Sequence, residues 1–189
     1  MPSGTLGVSI CREVCVMATS ALIPVSEYLN TTYRPDRDYV DGELRERNVG
    51  EQPHAHVQGI IYGMFRDHRK DWHVRPLPEQ RVQVSAQRYR VPDVCVIRSN
   101  DPKDDIITFA PLLCVEVLSA DDSLRELQER IDDYVAMGVK NIWAIDPWKR
   151  LGYIASARKF EQPEDGVLRI EGTPIEISLE KVFAELDES

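Results

Sequence analysis

The stretch that most limits how this chain can fold is LLCVEVLS, followed by a charged amphipathic segment and then NIWAID. Both ends are near-continuous apolar runs of strand length. Between them Leu124, Leu127, Ile131, Tyr134 and Val135 recur at helical spacing, which predicts a helix over about Ser123 to Met137. Asp121 or Asp122 suits its cap, and Gly138 its stop. Two strands joined by a helical crossover lie parallel in one sheet. Strands with no polar side are covered on both faces. The unit therefore predicts an α/β protein with helices packed on a central sheet.

The rest of the chain adds antiparallel material. RDYV-DG-ELRE reads as two short strands about a D-G turn. A short helix is expected over Val25 to Leu29. A longer one is expected from about His54 to Lys70, with Val57, Ile60, Ile61, Met64 and Phe65 on one face and Pro53 in its first turn. Trp72 to Val84 reads as a strand whose start is demoted to a sheet edge by Pro76 and Pro78. RYR leads into VPDVCVI, a further strand, and Asp146-Pro147 stops NIWAID. LGYIA, VLRI and PIEI suggest a small C-terminal sheet region, and LEKVFAEL a last helix.

Composition narrows the class. A chain of 189 residues usually folds as one domain and buries its own core. No apolar run is long enough to span a membrane. The net charge of −9 argues against a surface coated with phosphate-binding groups, while leaving room for a local basic groove. Cys95 and Cys114 lie in apolar runs and read as core. Cys11 and Cys15 have no second pair at zinc-ligand spacing. This usage fits a reducing compartment and a cytoplasmic protein. Residues 1–17 differ in character from the rest of the chain and read as a disordered leader, with Met17 an alternative start and 18–189 a single domain.

Two residues break the apolar pattern. Asp93 and Glu116 each sit within an otherwise apolar strand. An isolated buried carboxylate costs several kcal/mol, roughly, so each needs a base, a set of N–H donors or a metal. Two on consecutive strands point to a shared partner. Converging carboxylates suit a hard cation, Mg2+ or Mn2+, which activates water against a phosphodiester. Asp93 also reads as a turn residue after Pro92, and Glu116 as the partner of a buried arginine.

Taken together, YVDGEL, a helix bearing His56, VPDVCVI, LLCVEVLS, DDYVAMGV and NIWAIDP resemble the Uma-type family of restriction-endonuclease-like proteins, within the PD-(D/E)xK nuclease superfamily. The resemblance runs over roughly Pro24 to Asp146. It implies a restriction-endonuclease-like fold, a central mixed β-sheet flanked by helices. The aspartate of its P-D maps to Asp93 and the glutamate of its E-V-L-S to Glu116. Glu43 in D-G-E-L is the candidate for a third metal ligand, and reads equally as a solvated hairpin charge. The superfamily lysine would stand two residues after Glu116, where this chain has Leu118. In the Uma-type pattern that lysine moves to the following helix, four residues before the tyrosine. Here the position is Arg130, with Tyr134 one turn on.

Arg130 keeps the charge but is a poor general base, since a guanidinium stays protonated. It also reads as an i,i+4 partner of Glu126. His56, and less so His54, are further candidates near the helix start. Ser119, Asp121 and Asp122 read as capping residues, and Trp143 as core.

Two functions fit these residues. One is a magnesium-dependent endonuclease acting on DNA, with Asp93, Glu116 and Glu43 on the cation, Arg130 on the developing charge, and Arg45, Arg47, Arg88 and Arg90 on the DNA backbone. The resemblance also implies a homodimer, one subunit for each strand. The other is a protein that kept the fold as a binding module after losing the lysine. A structural dimer with internally paired acids is a third reading. Fold alone does not choose among them.

Overall fold

The structure, a computed structural model, describes residues 22–47 and 52–188. The expectations for residues 1–17, for Cys11 and Cys15 and for a start at Met17 lie outside the described residues.

The chain runs α1 (Val25–Leu29), β1 (Asp38–Val40), β2 (Glu43–Arg45), α2 (Gln52–Asp67), β3 (Val74–Pro78), β4 (Val82–Ser85), β5 (Arg88–Arg90), β6 (Val94–Arg98) and β7 (Leu113–Val117). Then come α3 (Leu124–Met137), β8 (Ile142–Asp146), β9 (Leu151–Ser156), β10 (Lys159–Glu161), β11 (Val167–Arg169), β12 (Glu176–Ser178) and α4 (Leu179–Glu188). The main sheet has the order β10-β9-β8-β7-β6-β3. Only β7 and β8 are parallel in it, joined over α3 as the crossover requires. A second sheet, β2-β1-β5-β4, carries the D-G hairpin, and β11 and β12 form a third. Asp41 and Gly42 both have positive φ, 51° and 98°, the backbone of a tight two-residue hairpin turn.

Strand period 2 divides the core between two faces. Val94, Val96, Val115, Val117, Trp143 and Ile145 join the cluster built with α2 and α4. Cys95, Ile97, Cys114, Ile142 and Ala144 join Leu127, Ile131 and Tyr134 of α3 on the other side. Cys95 faces Cys114 across β6 and β7, both buried thiols as expected. Against the face with α4, β9 passes so close that a Cβ on Gly152 would sit 2.5 Å from Leu179 Cδ2. Among the described residues no helix is long and apolar enough to cross a membrane.

Several expectations change. Trp72 to Val84 is not one strand. The chain turns at Glu79, whose φ is 48°, so β3 edges the main sheet while β4 joins the second one. RYR is likewise a strand of the second sheet rather than the start of VPDVCVI. The cap of α3 is Ser123, whose side chain accepts from Glu126 N, rather than Asp121 or Asp122. Gly138 ends the helix in the left-handed conformation, as its lack of a Cβ permits. Leu124 and Val135 are exposed, so the buried stripe of α3 is Leu127, Ile131 and Tyr134. LGYIA extends the main sheet beside β8 instead of forming a separate C-terminal sheet.

Candidate active site

The register of β6 and β7 explains how the two acids meet. Val94 faces Val115 and Cys95 faces Cys114 in an antiparallel pair. The next step outward in that register sets Asp93 against Glu116, on the face that α3 covers. Asp93 is 2 % and Glu116 3 % exposed, so the pair is out of water. The solvent-facing turn reading of Asp93 is thereby excluded.

Each acid has its own escort. Asp93 Oδ1 accepts from Arg47 Nη2. Its Oδ2 accepts from Val117 N at 2.7 Å and lies 3.3 Å from His54 Nε2. Its main-chain carbonyl accepts from Gln58 Nε2 at 3.1 Å and Glu79 N at 3.2 Å. On the other side, Glu116 Oε1 accepts from Tyr134 Oη at 2.6 Å, and Oε2 lies 2.9 Å from Arg130 Nε. All four carboxylate oxygens thus have a partner, drawn from the hairpin exit, the first turn of α2, β7 and α3.

The two acids respond oppositely to the same burial. Burial alone would raise Asp93, but Arg47, His54 and the Val117 amide outweigh it and hold the carboxyl below its ordinary range. For Glu116, burial dominates, Arg130 opposes it, the Asp93 charge adds to it, and the carboxyl is pushed up to about 7. His54 is lowered by its own burial, yet the bond and charge of Asp93 leave it raised. Tyr134 is raised by burial and by Glu116, so it donates as a neutral phenol.

Of the residues expected from sequence, Asp93, Glu116 and Arg130 come together. Arg130 points to Glu116 rather than making Glu126 its main partner, and its Nη2 lies 3.8 Å from Asp122. Glu43 is exposed on the edge strand β2 and is not among the partners of either acid. His54, ranked below His56 from sequence, is the buried histidine beside Asp93, while His56 lines surface hollows along α2. The signal was present: His54 stands three residues before Val57 and seven before Ile61, on the buried stripe. Trp143 is core, and Ser119 is buried just past β7.

Sequence reasoning missed Asp38 altogether and Arg47 as a partner of Asp93. Asp38 is a third buried acid, 3 % exposed, accepting from Arg90 Nη1 at 2.8 Å and from Val91 N at 3.0 Å. Arg90 also donates through Nε to Asp133 Oδ2 at 2.7 Å. Arg45 and Arg88 bond Glu129, Asp41 and Asp133. Of the four arginines expected along a DNA backbone, Arg45, Arg88 and Arg90 are therefore first of all struts between the hairpin sheet and α3, and Arg47 is the partner of Asp93.

A divalent cation has suitable oxygens here. The paired carboxylates of Asp93 and Glu116 are hard donors on neighbouring strands, and Mg2+ commonly takes only one or two protein carboxylates beside water and phosphate. Among the described residues no group of three or more histidine, cysteine, aspartate or glutamate side chains forms a cage. The donor set fits a cation shared with a substrate phosphate better than a closed structural site.

A mixed sheet with a parallel β7–β8 crossover, antiparallel strands beside it and a P-D and E pair at one end defines a restriction-endonuclease-like fold. The chain belongs to the Uma2 family, described as "Putative restriction endonuclease", whose family model matches residues 25–184. It is similar to a solved structure from Anabaena variabilis ATCC 29413, "a putative nuclease belonging to DUF820". That likeness has a TM-score of 0.73 at 19 % identity, over 85 % of this chain and 97 % of the other, and it bears on the fold alone. No curated protein matches the chain.

Proposed function

We propose that this protein is a metal-dependent nuclease that hydrolyses DNA phosphodiester bonds at the Asp93–Glu116 pair. The observation that carries the reading is the facing pair of buried carboxylates, with Glu116 pushed up to about 7 by its burial and by the Asp93 charge, which Arg130 opposes. Mg2+ or Mn2+ held by Asp93 and Glu116 would supply an activated water and neutralise charge on the phosphate. This chain's own residues hold the pair in place. Val117 N and His54 fix Asp93, Tyr134 fixes one oxygen of Glu116, and Arg130 offers positive charge beside the other. Arg130 serves through charge and hydrogen bonding rather than by taking a proton. A homodimer that cuts both strands, in the cytoplasm, belongs to the same proposal.

A second reading has its own support. The partners already on all four oxygens leave the acids satisfied without metal, which favours a nuclease fold retained for binding. Cleavage of supercoiled plasmid and single-stranded DNA with Mg2+ or Mn2+ separates the two. The nuclease reading expects cleavage by the wild type and none by Asp93→Asn or Glu116→Gln purified alongside it. Identical traces from all three proteins would abandon it for the binding reading, and gain of cleavage by Arg130→Lys would then identify a decayed nuclease.

A further inference from the structure

One level below the acid pair, Cys95 and Cys114 face each other across β6 and β7. Strand period 2 puts Cys95 on the same face as Asp93, and Cys114 on the same face as Glu116. That face is covered by Leu127, Ile131 and Tyr134 of α3. Both cysteines are 0 % exposed. A core needs only compact apolar side chains at these positions. It does not account for two sulfurs meeting at one register position, where a covalent bond between them comes within reach.

The backbone bonding shows that the geometry suits such a bond. Cys114 N donates to Asn141 O at 3.1 Å, on the side of β8. In an antiparallel pair the N–H and C=O of one residue point the same way, so Cys114 turns both away from β6. Cys95 and Cys114 are therefore a non-hydrogen-bonded pair, the kind that brings side chains closest. Opposed Cα atoms at such a pair stand about 4.5 Å apart, and Cβ atoms about 4.5–5.5 Å. A disulfide takes Cα separations of about 4.4–6.8 Å and Cβ separations of about 3.5–4.5 Å. Closing the bond thus draws the two Cβ atoms together by about 1 Å and keeps the register. The sulfurs already touch: burial and a hydrogen bond with the Cys95 thiol push the Cys114 thiol well above its ordinary range.

We propose that Cys95 and Cys114 form a reversible disulfide that clamps β6 to β7 beneath the acid pair when the chain meets a small oxidant of the peroxide class. One sulfur attacks a peroxide oxygen, the O–O bond breaks, water leaves and a sulfenic acid remains. The other sulfur attacks that sulfur, the S–O bond breaks and a second water leaves. The two thiols give up two electrons and two protons, and hydrogen peroxide becomes two waters. A dithiol reverses the bond by exchange. In a reducing compartment such a bond is transient, a switch rather than a staple. It joins the two strands that present Asp93 and Glu116, so oxidation fixes their spacing from one pleat away without touching either carboxylate. The clamp is independent of the nuclease reading, since it needs neither metal nor substrate.

The test treats the folded full chain with hydrogen peroxide in EDTA, blocks remaining thiols under denaturing conditions and maps the tryptic peptides by mass spectrometry. Cys95 and Cys114 fall in separate peptides, 91–98 and 104–125. The expected product is one species joining these two peptides, separated again by dithiothreitol. The oxidised chain should melt about 5–10 °C above the reduced one. The Val94 and Val115 amides, which pair between the two levels, should exchange more slowly in it. Cys95→Val, which keeps the packing, should show neither the link nor the rise in Tm on the same treatment. Three results would overturn the clamp. The first is sulfinic or sulfonic acid at either cysteine without the link. The second is a pair that stays reduced while Cys11 and Cys15 oxidise. The third is a link that leaves Tm unchanged or lower.

Discussion

Asp93 and Glu116 are cross-strand neighbours with nearly the same burial, yet their surroundings drive them apart. The Asp93 side is closed by Arg47, His54 and a main-chain amide, and the carboxyl stays ionised. The Glu116 side has one guanidinium and one phenol, and burial together with the Asp93 charge lifts the carboxyl to about 7. The difference shows what decides the state of a buried acid. It is the number of donors aimed at its oxygens, and whether a neighbour has already taken the available positive charge. Asp93 acts as a fixed charge in the fold, and Glu116 as an acid that the same burial pushes toward its protonated form.

The largest effect should come from stripping Asp93. Arg47→Gln leaves an ionised carboxylate buried without its guanidinium, which costs about 3–5 kcal/mol. Arg130→Gln should cost clearly less, about 1–3 kcal/mol, because Glu116 can escape by taking a proton. Urea unfolding at neutral pH checks the order, and equal losses would erase the contrast between the two sides.

The next effect is in pH. The folded pKa of Glu116 lies above its ordinary 4.5, so the folded state binds its proton more tightly than the unfolded chain does. Its burial therefore weakens the fold progressively as pH rises from about 4.5 to about 7, by about 3 kcal/mol at most, and not further above that. The stability of Glu116→Gln relative to wild type should rise across that window. Asp93 has the opposite sign. Its folded pKa lies below its ordinary 3.8, so its contribution is present above that value and is lost as pH falls through the folded pKa. Asp93→Asn should lack that acid-driven loss. Unfolding curves for the three proteins across pH decide both signs.

The smallest effect is the loss of one donor. Tyr134→Phe removes the 2.6 Å bond to Glu116 Oε1 and should cost about 1 kcal/mol while moving Glu116 further up. Carboxyl NMR titration of Glu116 in the two proteins measures the shift, and an unmoved midpoint would mean that Tyr134 does not hold the carboxylate.

The central sheet was legible because its strands carry strong local signals. LLCVEVLS, NIWAID and the intervening stripe force a parallel crossover, and the same apolar runs made Asp93 and Glu116 conspicuous. Of the second sheet only the D-G hairpin was legible. β4 and β5 are short, and only Glu79's left-handed turn separates β3 from β4, in a residue type that does not announce it. The escort of Asp93 was hidden for a related reason. Arg47 follows a surface-like hairpin, in the string RERN, and nothing local shows that its side chain turns inward across the sheet. Glu43 and Arg47 sit four residues apart on the same exposed-looking segment. The structure leaves the first in solvent and buries the second, a choice set by tertiary contacts rather than by sequence pattern.

The most direct test of the paired-acid account is calorimetric titration of Mn2+ into wild type, Asp93→Asn and Glu116→Gln. If the two acids form one cation site, the wild type shows one saturable site that both substitutions abolish, with proton release from Glu116 when the titration is run near pH 7. Binding of equal strength in all three proteins, or none in the wild type, would contradict it.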